Sequence, residues 1–227
     1  MIKIVVTGPL QSGKSSYVKH HDQNAMNVQA KGRDDIYYTV GMDMGSLKLN
    51  GFDIFLFGTP GLLRFSVMRD VVAEGADGII FLFDSVQPEK DEKAISILNS
   101  VRKLLEPNTP IIFLANKQDI EGARSPEVIK AQNNLPENCV IFPTSTKTGL
   151  NIEESLKYIV NQVYNNYKEL LLVMREYEMD IRALAEKLKK DKPQMRDFLN
   201  NLELKRFIEI DRIKKTYKVR NGLKNLG

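Results

Sequence analysis

In residues 8–15 the chain reads Gly8-Pro9-Leu10-Gln11-Ser12-Gly13-Lys14-Ser15, directly after the apolar run Ile2–Val6. The stretch fits the pattern G-x-x-x-x-G-K-[ST] in full, with a strand expected before it and a helix after it. Its glycines allow a tight turn whose backbone N–H groups point at phosphate oxygens, while Lys14 adds positive charge and Ser15 offers a hydroxyl oxygen suited to Mg²⁺. The stretch therefore predicts a phosphate-binding loop; the alternative is a glycine turn with a chance Lys-Ser pair.

The residues around this loop alternate between strand and helix patterns. Near-continuous apolar runs predict strands covered on both faces at Ile2–Val6, Gly45–Leu49, Asp53–Phe57, Gly78–Phe83, Ile111–Ala115 and Val140–Phe142. Helices are predicted between them at Lys14–His21, Ser66–Glu74, Lys90–Leu105, Ser125–Asn133 and Ile152–Tyr164. Such alternation predicts a doubly wound α/β domain with a mainly parallel sheet over residues 1–165.

A polar loop follows the strand candidate Ile111–Ala115 and reads Asn116-Lys117-Gln118-Asp119. Here the chain resembles the Ras-like small GTPases, whose strand-terminal N-K-x-D motif binds guanine. A carboxylate can accept hydrogen bonds from both the ring N–H and the exocyclic amine of guanine, a pair that adenine does not present. The resemblance implies that Asp119 selects the base, that Asn116 ties this loop to the phosphate loop, and that Lys117 lies along the ring face.

A second loop of the same resemblance lies downstream, after Val140–Phe142. Residues Thr144-Ser145-Thr146-Lys147 stand where the family has an S-A-K loop, and Thr146 departs from the usual Ala. Because the three motifs occur in the family order, they favour GTP or GDP over ATP as the ligand. The resemblance implies nucleotide contacts from Gly8, Gln11, Ser12, Gly13, Lys14, Ser15, Ser16, Thr39, Gly61, Asn116, Lys117, Asp119, Ser145, Thr146 and Lys147.

Two segments resemble the switch regions of the family. Residues 34–43 resemble switch I, in which Thr39 would join Ser15 as a magnesium ligand; the alternative is a hairpin-loop threonine with no ligand role. Residues 57–65, which read Phe-Gly-Thr-Pro-Gly-Leu-Leu-Arg-Phe, resemble switch II of an archaeal and bacterial branch related to the MglA polarity switch. The resemblance implies catalytic positions at Lys14, Thr39 and Gly61.

Switch II departs from the family pattern at two positions. Gly58 stands where many small GTPases carry an Asp that holds Mg²⁺ through water, so we expect a looser ion, with Asp84 as a partial substitute or merely a strand-end residue. Leu62 stands where a Gln usually orients the attacking water, and leucine has no donor or acceptor. We therefore expect a regulatory switch with slow hydrolysis, aided by Arg64 or by a partner residue; the alternative is a GTP-bound scaffold that does not hydrolyse GTP.

The C-terminal part differs from the rest in charge and pattern. From Tyr167 onward the chain carries 16 Lys/Arg and 10 Asp/Glu, against a net charge of +4 for the whole chain. Helix patterns around Ile181–Leu188 and Gln194–Leu202, followed by short alternating strands at Phe207–Asp211 and Tyr217–Val219, resemble a winged helix over residues 168–227.

This module leaves three roles open: nucleic-acid binding, association with a partner or a second copy, and a lid on the first domain. For nucleic acid, the base-facing candidates are Gln194, Arg196, Asp197, Asn200 and Asn201, and the phosphate-facing candidates are Arg212, Lys214 and Lys215.

Cysteine content and the terminal segments indicate the cellular compartment in which the protein is expected. The single cysteine, Cys139, excludes an intramolecular disulfide. The N-terminal apolar run is too short for a signal peptide or a membrane span, and no lipidation motif is present. We therefore expect a cytoplasmic protein without a membrane anchor, which meets effector or activator proteins through its switch loops.

Overall fold

The computed structural model describes residues 1–27, 29–31, 37–39, 41–49, 51–62 and 65–220. Its main sheet has six strands in the order β4-β5-β1-β6-β7-β8. These strands are β1 (Ile2–Thr7), β4 (Asp43–Leu49), β5 (Phe52–Gly58), β6 (Gly78–Asp84), β7 (Ile111–Asn116) and β8 (Ile141–Pro143). The pairs β1–β6, β6–β7 and β7–β8 are parallel. The predicted α/β fold with a mainly parallel sheet is confirmed.

The helices alternate with these strands as the sequence pattern requires. They are α1 (Lys14–His21), α2 (Ser66–Ala73), α3 (Asp91–Arg102), α4 (Pro126–Gln132) and α5 (Ile152–Glu176), and a short 3₁₀ turn at Pro88–Lys90 precedes α3. Every residue of β6 is buried, as expected for a central strand covered on both faces. Because parallel strands end at one edge of the sheet, the loops after β1, β6, β7 and β8 meet there.

Several bounds differ from the sequence predictions. Strand β4 begins at Asp43, two residues before the predicted start at Gly45, because the polar Asp43 interrupts the apolar pattern although it is buried. Helix α5 runs to Glu176 rather than ending at Tyr164. The Asn-rich stretch after Tyr164 resembles a break, yet Leu171 and Met174 continue the buried face of the helix. A small pair of strands, β2 (Gln29–Lys31) and β3 (Tyr37–Thr39), was not predicted.

The chain divides into two compact units. The larger unit comprises Lys3–Leu47 and Phe55–Val163, and its core packs aromatic and aliphatic side chains of the central strands, such as Phe81, Phe83 and Phe113. The smaller unit comprises Met1–Ile2, Lys48–Ile54 and Tyr164–Gly227. The sequence pattern predicted a boundary near residue 165. That Lys48–Ile54 belongs to the same unit as the C-terminal residues was not predicted.

Within the smaller unit, two helices precede a β-hairpin. These elements are α6 (Ile181–Lys187), α7 (Lys192–Leu204), β9 (Ile208–Asp211) and β10 (Thr216–Val219). Phe207 joins Phe52 in an edge-on ring contact with centroids 5.4 Å apart, and the neighbouring Arg206 donates a hydrogen bond of 3.1 Å to Asp53. These contacts explain why the 48–54 segment belongs to this unit.

Helix α7 begins with a complete capping box. The side chain of Asp191 accepts a hydrogen bond from the backbone N–H of Gln194, whose own side chain accepts from the N–H of Asp191. This reciprocal pair satisfies two backbone donors that the helix start would leave unpaired, and Pro193 fits the first turn because it lacks an N–H. Within the described ranges, no helix is long and apolar enough to cross a membrane.

Candidate functional site

The loop between β1 and α1 has the tight backbone predicted for residues 8–13. Gly8 and Gly13 have φ angles of 140° and 102°, and Gln11 has a φ of 60°. A Cβ at Gly8 would lie 2.4 Å from the Leu82 carbonyl oxygen, and a Cβ at Gly13 would lie 2.2 Å from Asn116 Nδ2. Only glycine fits both the φ angle and the space at these two positions.

Helix α1 starts at Lys14, so its first backbone N–H groups lie at the end of this loop. The helix start has no side-chain cap, and the N–H groups of a helix start together with the helix dipole favour anions. Lys14 is 6 % exposed, and its Nζ donates a hydrogen bond of 2.6 Å to the Pro9 carbonyl. Burial lowers the pKa of Lys14 to about 7, although the nearby Asp43 carboxylate opposes this shift. Ser16 is exposed in the first turn of the helix.

The two predicted magnesium ligands differ in what the structure describes. The Ser15 hydroxyl donates a hydrogen bond of 2.6 Å to Oδ2 of Asp43 at the start of β4. Burial raises the pKa of the Asp43 carboxyl, while the bond from Ser15 acts against that rise. Thr39 ends β3, but its side chain lies outside the described part of the structure. Asp43 was not among the residues that the sequence suggested.

The base-loop candidate Asn116 is fully buried and connects three loops. Its Nδ2 donates to the Ser12 carbonyl at 2.8 Å, which joins the loop after β7 to the loop after β1. Its Oδ1 accepts from the backbone N–H of Thr146 at 3.0 Å, and Nδ2 also reaches Thr146 Oγ1 at 3.3 Å. Thr146 thus adds a side-chain contact that the usual Ala could not make.

Asp119 lies at the open end of the same cluster. Its Oδ1 accepts a hydrogen bond of 2.6 Å from the Ser145 hydroxyl, and Lys147 Nζ lies 3.8 Å from its Oδ2. The bond from Ser145 is the main reason why the pKa of Asp119 lies below its ordinary value. The carboxylate is therefore ionised at neutral pH and can accept hydrogen bonds from a ligand.

Two lysines and Asp84 form a cluster behind the phosphate loop. Lys117 Nζ lies 2.6 Å from Asp84 Oδ2, and Lys90 Nζ lies 3.6 Å from the same oxygen. Lys90 also donates to the Leu10 carbonyl at 3.0 Å and to Gln11 Oε1 at 3.3 Å. Lys90 was not predicted, because a lysine at the start of a surface helix has no distinguishing sequence pattern. Asp84, suggested as a partial substitute at the magnesium site, is instead held by these lysines.

The segment after β5 lies against the phosphate loop. A Cβ at Gly61 would lie 2.6 Å from Leu10 Cα and 2.9 Å from Lys14 Nζ. Thr59 Oγ1 donates to Thr7 Oγ1 at 2.8 Å, which fixes the entry to the segment. Gly61 must therefore be a glycine for its backbone to approach Leu10 and Lys14 so closely.

An unpredicted arginine holds the same segment from behind. Arg69 of α2 is 2 % exposed, and its Nη1 donates to the carbonyls of Pro60 at 3.2 Å and Leu62 at 2.8 Å. The arginine suggested by the sequence as an aid to hydrolysis was Arg64, which lies outside the described residues. Helical spacing alone does not distinguish a buried arginine from a solvated one, so Arg69 was missed.

Comparison with known proteins agrees with this geometry. The model of the Ras family matches residues 3–165. The chain belongs to the Ras family. Similar relatives are the Ras-related protein Rab-11C of Dictyostelium discoideum, 25 % identical over 170 residues and 73 % of each chain, and RABA2a of Arabidopsis thaliana, 24 % identical over 72 % of this chain and 75 % of that protein. RABA4b of Arabidopsis thaliana is 24 % identical over 73 % of each chain.

Membership of the Ras family explains the connected loops. Ras-family proteins bind GTP and GDP and act as regulatory switches, so residues 3–165 of this chain form a GTP-binding small GTPase domain. Members of the Ras family interact with effectors and regulators through their switch regions. The residues beyond 165 lie outside the family match.

The predicted nucleic-acid residues of the smaller unit are partly occupied by local contacts. Gln194 belongs to the capping box of α7. Arg212 donates two hydrogen bonds to Glu203, at 2.6 and 3.3 Å, and the exposed Arg196 lies 3.4 Å from Asp197. Two of the candidate cations, Arg212 and Arg196, are therefore already paired with neighbouring carboxylates.

We predict that Asn116→Ala weakens GDP binding by roughly 100-fold, because it breaks several buried hydrogen bonds that each contribute about 1–3 kcal/mol when a partner is stranded. Thr146→Ala is the matched control: it removes only the hydroxyl contact and keeps the backbone N–H, so we expect a change of less than about 5-fold. Fluorescent-GDP titration measures both. Equal losses in the two variants would show that the connection through Asn116 is not what holds the loops.

Proposed function

We propose that this protein is a Mg²⁺-dependent guanine-nucleotide switch with slow intrinsic GTP hydrolysis. The observation that carries the proposal is the bond from Asn116 Nδ2 to the Ser12 carbonyl. It makes the base loop and the phosphate loop one connected unit, so a nucleotide that spans both is bound by a preformed framework.

Guanine selection rests on Asp119. Its carboxylate is ionised and is oriented by Ser145, so it can accept from the ring N–H and the exocyclic amine of guanine together. Adenine offers no such pair, so both hydrogen bonds from the base to the carboxylate would be lost, which costs binding free energy. Lys117, held by Asp84, would lie along the ring of the base, while Thr146 supports the site by donating its backbone N–H to Asn116.

The phosphate end would use the backbone N–H groups of residues 8–15, with Lys14 and Gly61 at the terminal phosphate. Lys14 lies folded onto Pro9 in a site where its charge is weakened by burial. A bound phosphate would restore that charge and replace the carbonyl as its partner. Ser15 and Thr39 are the proposed Mg²⁺ ligands, and the ion would supply positive charge to the phosphate oxygens.

Slow hydrolysis follows from Leu62. The backbone of Leu62 is held by Arg69, but its side chain carries no group that can orient water. Leu62, the residue after Gly61, therefore fills space at this position but takes no part in positioning the water. The same observation favours a second candidate function, a GTP-bound scaffold whose state is set by nucleotide supply rather than by turnover.

For the C-terminal residues 168–227 we propose a winged helix that contacts a protein partner or a second copy rather than nucleic acid. The order of α6, α7, β9 and β10 supports the winged helix, and the pairing of Arg212 with Glu203 supports a protein partner. Ile213, 94 % exposed in the turn between β9 and β10, offers an apolar contact at the tip of this hairpin.

The nucleotide proposal is tested by competition and by one substitution. We expect GTP and GDP to displace a fluorescent GDP at concentrations at least about 100-fold below ATP, since a site that pairs buried polar groups rejects a ligand that cannot. Asp119→Asn should weaken guanine binding and strengthen xanthine nucleotide binding, because the amide can donate to the extra carbonyl of xanthine. Equal displacement by ATP would refute guanine selection.

The hydrolysis proposal is tested by Leu62→Gln. Supplying a side chain that orients water should raise single-turnover phosphate release by about tenfold or more. Val67→Gln, at a position of α2 that is 75 % exposed, is the control and should leave the rate unchanged. Purification with intact GTP would favour the scaffold, and a wild-type rate in Leu62→Gln would show that another feature limits hydrolysis.

The partner proposal predicts weak, non-specific DNA and RNA binding by the full chain. Fluorescence anisotropy at physiological salt should give dissociation constants no tighter than roughly 10⁻⁴–10⁻⁶ M, the range that is usual for non-specific contacts. The combined variant R212Q/K214Q/K215Q should change them by no more than about 3-fold. Tight binding with a steep salt dependence that this variant abolishes would instead assign the module to nucleic acid.

A further inference from the structure

The magnesium site of this chain lacks the carboxylate that its family resemblance implies at the end of β5. Position 58 is a glycine, so that strand supplies no side chain there. The Ser15 hydroxyl and a threonine of switch I would remain as ligands, and neither carries charge. A divalent cation in a protein site is normally matched by at least one carboxylate, held directly or through its water shell.

Asp43 places a carboxylate beside Ser15 from the neighbouring strand β4. Its Oδ2 accepts the hydrogen bond of 2.6 Å from Ser15 Oγ, the proposed magnesium ligand. The residue is 1 % exposed. Its second oxygen, Oδ1, has no hydrogen-bond partner within the part of the chain that the structure describes. A buried carboxylate oxygen in this condition is costly unless a cation or its bound water satisfies it.

The distances between Asp43 and Gly58 explain why a glycine stands at position 58. A Cβ at position 58 would lie 2.7 Å from Asp43 Oδ2 and 2.9 Å from Asp43 Cβ. These separations are too short for a side chain at position 58 to coexist with Asp43 in this place. The Asp43 side chain thus occupies the space that a residue at position 58 would need, and the glycine is the condition for its placement.

Asp84, the other acidic candidate, is already accounted for. Its Oδ2 is bound by Lys117 at 2.6 Å and approached by Lys90 at 3.6 Å. Its negative charge is balanced by these two lysines, whereas Asp43 faces Ser15 and lies close enough to Lys14 to influence its charge. Asp84 is therefore the partner of the two lysines, and Asp43 is the carboxylate beside Ser15.

We propose that Asp43 is the magnesium-site carboxylate of this protein, supplied from β4 in place of the residue missing at position 58. The inference rests on the proposed guanine-nucleotide function and adds a residue to its metal site. Asp43 would act on the ion together with Ser15, whose hydroxyl oxygen can bind the cation through a lone pair while its hydrogen stays donated to Asp43. The carboxylate thereby also orients the Ser15 oxygen before the ion arrives.

The test measures how Mg²⁺ slows the release of fluorescent GDP, and it does not depend on hydrolysis. In Asp43→Asn the amide oxygen can still accept from Ser15, but the charge is gone. We expect the Mg²⁺ concentration for half-maximal slowing to rise about 10- to 100-fold, the usual loss when a carboxylate that supports a metal ligand is removed. GDP affinity in EDTA should stay within about 3-fold of wild type, because the phosphate and base loops are intact.

Asp22→Asn is the matched control. This carboxylate also contacts β4, through the backbone N–H of Ser46 at 2.8 Å, but it lies outside the proposed site. Its Mg²⁺ response should equal that of wild type. An equal response of Asp43→Asn and wild type overturns the inference, and so does a loss of GDP affinity in EDTA that matches the loss in Mg²⁺.

A reciprocal variant keeps the inference testable if Asp43→Asn does not fold. D43A/G58D removes the side chain at position 43 and returns a carboxylate to position 58, where the vacated space can hold it. We expect this variant to recover most of the Mg²⁺ response that D43A alone loses; no recovery in a folded variant that binds GDP counts against the inference. Failure of wild type to bind GDP under any condition would overturn the proposed function instead, so the two failures are distinguishable.

Discussion

The hydrogen bond from Asn116 to the Ser12 carbonyl is the constraint on which the site depends. It joins loops that are separated by 104 residues in the chain, and it is buried, so water does not compete with it. Gly13 has to be a glycine because Asn116 Nδ2 would lie 2.2 Å from its Cβ. The base loop, the loop after β8 and the phosphate loop therefore keep one relative position, set by a single amide side chain with four polar contacts.

The order of strands and helices was predictable because hydrophobic periodicity and motif spacing act locally. The phosphate loop, the strands before it and after it, and the N-K-x-D loop each carry their signal within about ten residues. The role of Asn116 was implied by the resemblance to the Ras-like small GTPases, and the role of Gly8 and Gly13 by the phosphate-loop motif. The length of α5 was not predictable in this way, since Leu171 and Met174 are buried by a tertiary environment that the polar stretch before them conceals.

Three important side chains of the site escaped the sequence because their significance comes from burial and partners. Lys90, Arg69 and Asp43 are charged residues that no motif marks. Lys90 donates to the phosphate loop, Arg69 donates to the segment after β5, and Asp43 accepts from Ser15. A charged residue is usually solvated, so sequence reasoning assigns it to the surface. Only contacts show that each of these charges is turned inward toward a loop that must stay in place.

The absence of a motif residue, such as the Asp missing at position 58, therefore does not mean that the interaction it makes is also absent. In adjacent strands, side chains on the same face lie close enough for one strand to supply a group that the other lacks. Position 58 and Asp43 occupy β5 and β4, which neighbour each other in the sheet, and the Cβ that Gly58 lacks would touch the Asp43 carboxylate. The proposed site requires one carboxylate in the space beside Ser15. Either β4 or β5 can supply it, but the space holds only one such side chain. At Leu62, by contrast, the contact within the described residues is to the backbone: Arg69 donates to its carbonyl, and the leucine side chain itself offers no polar group.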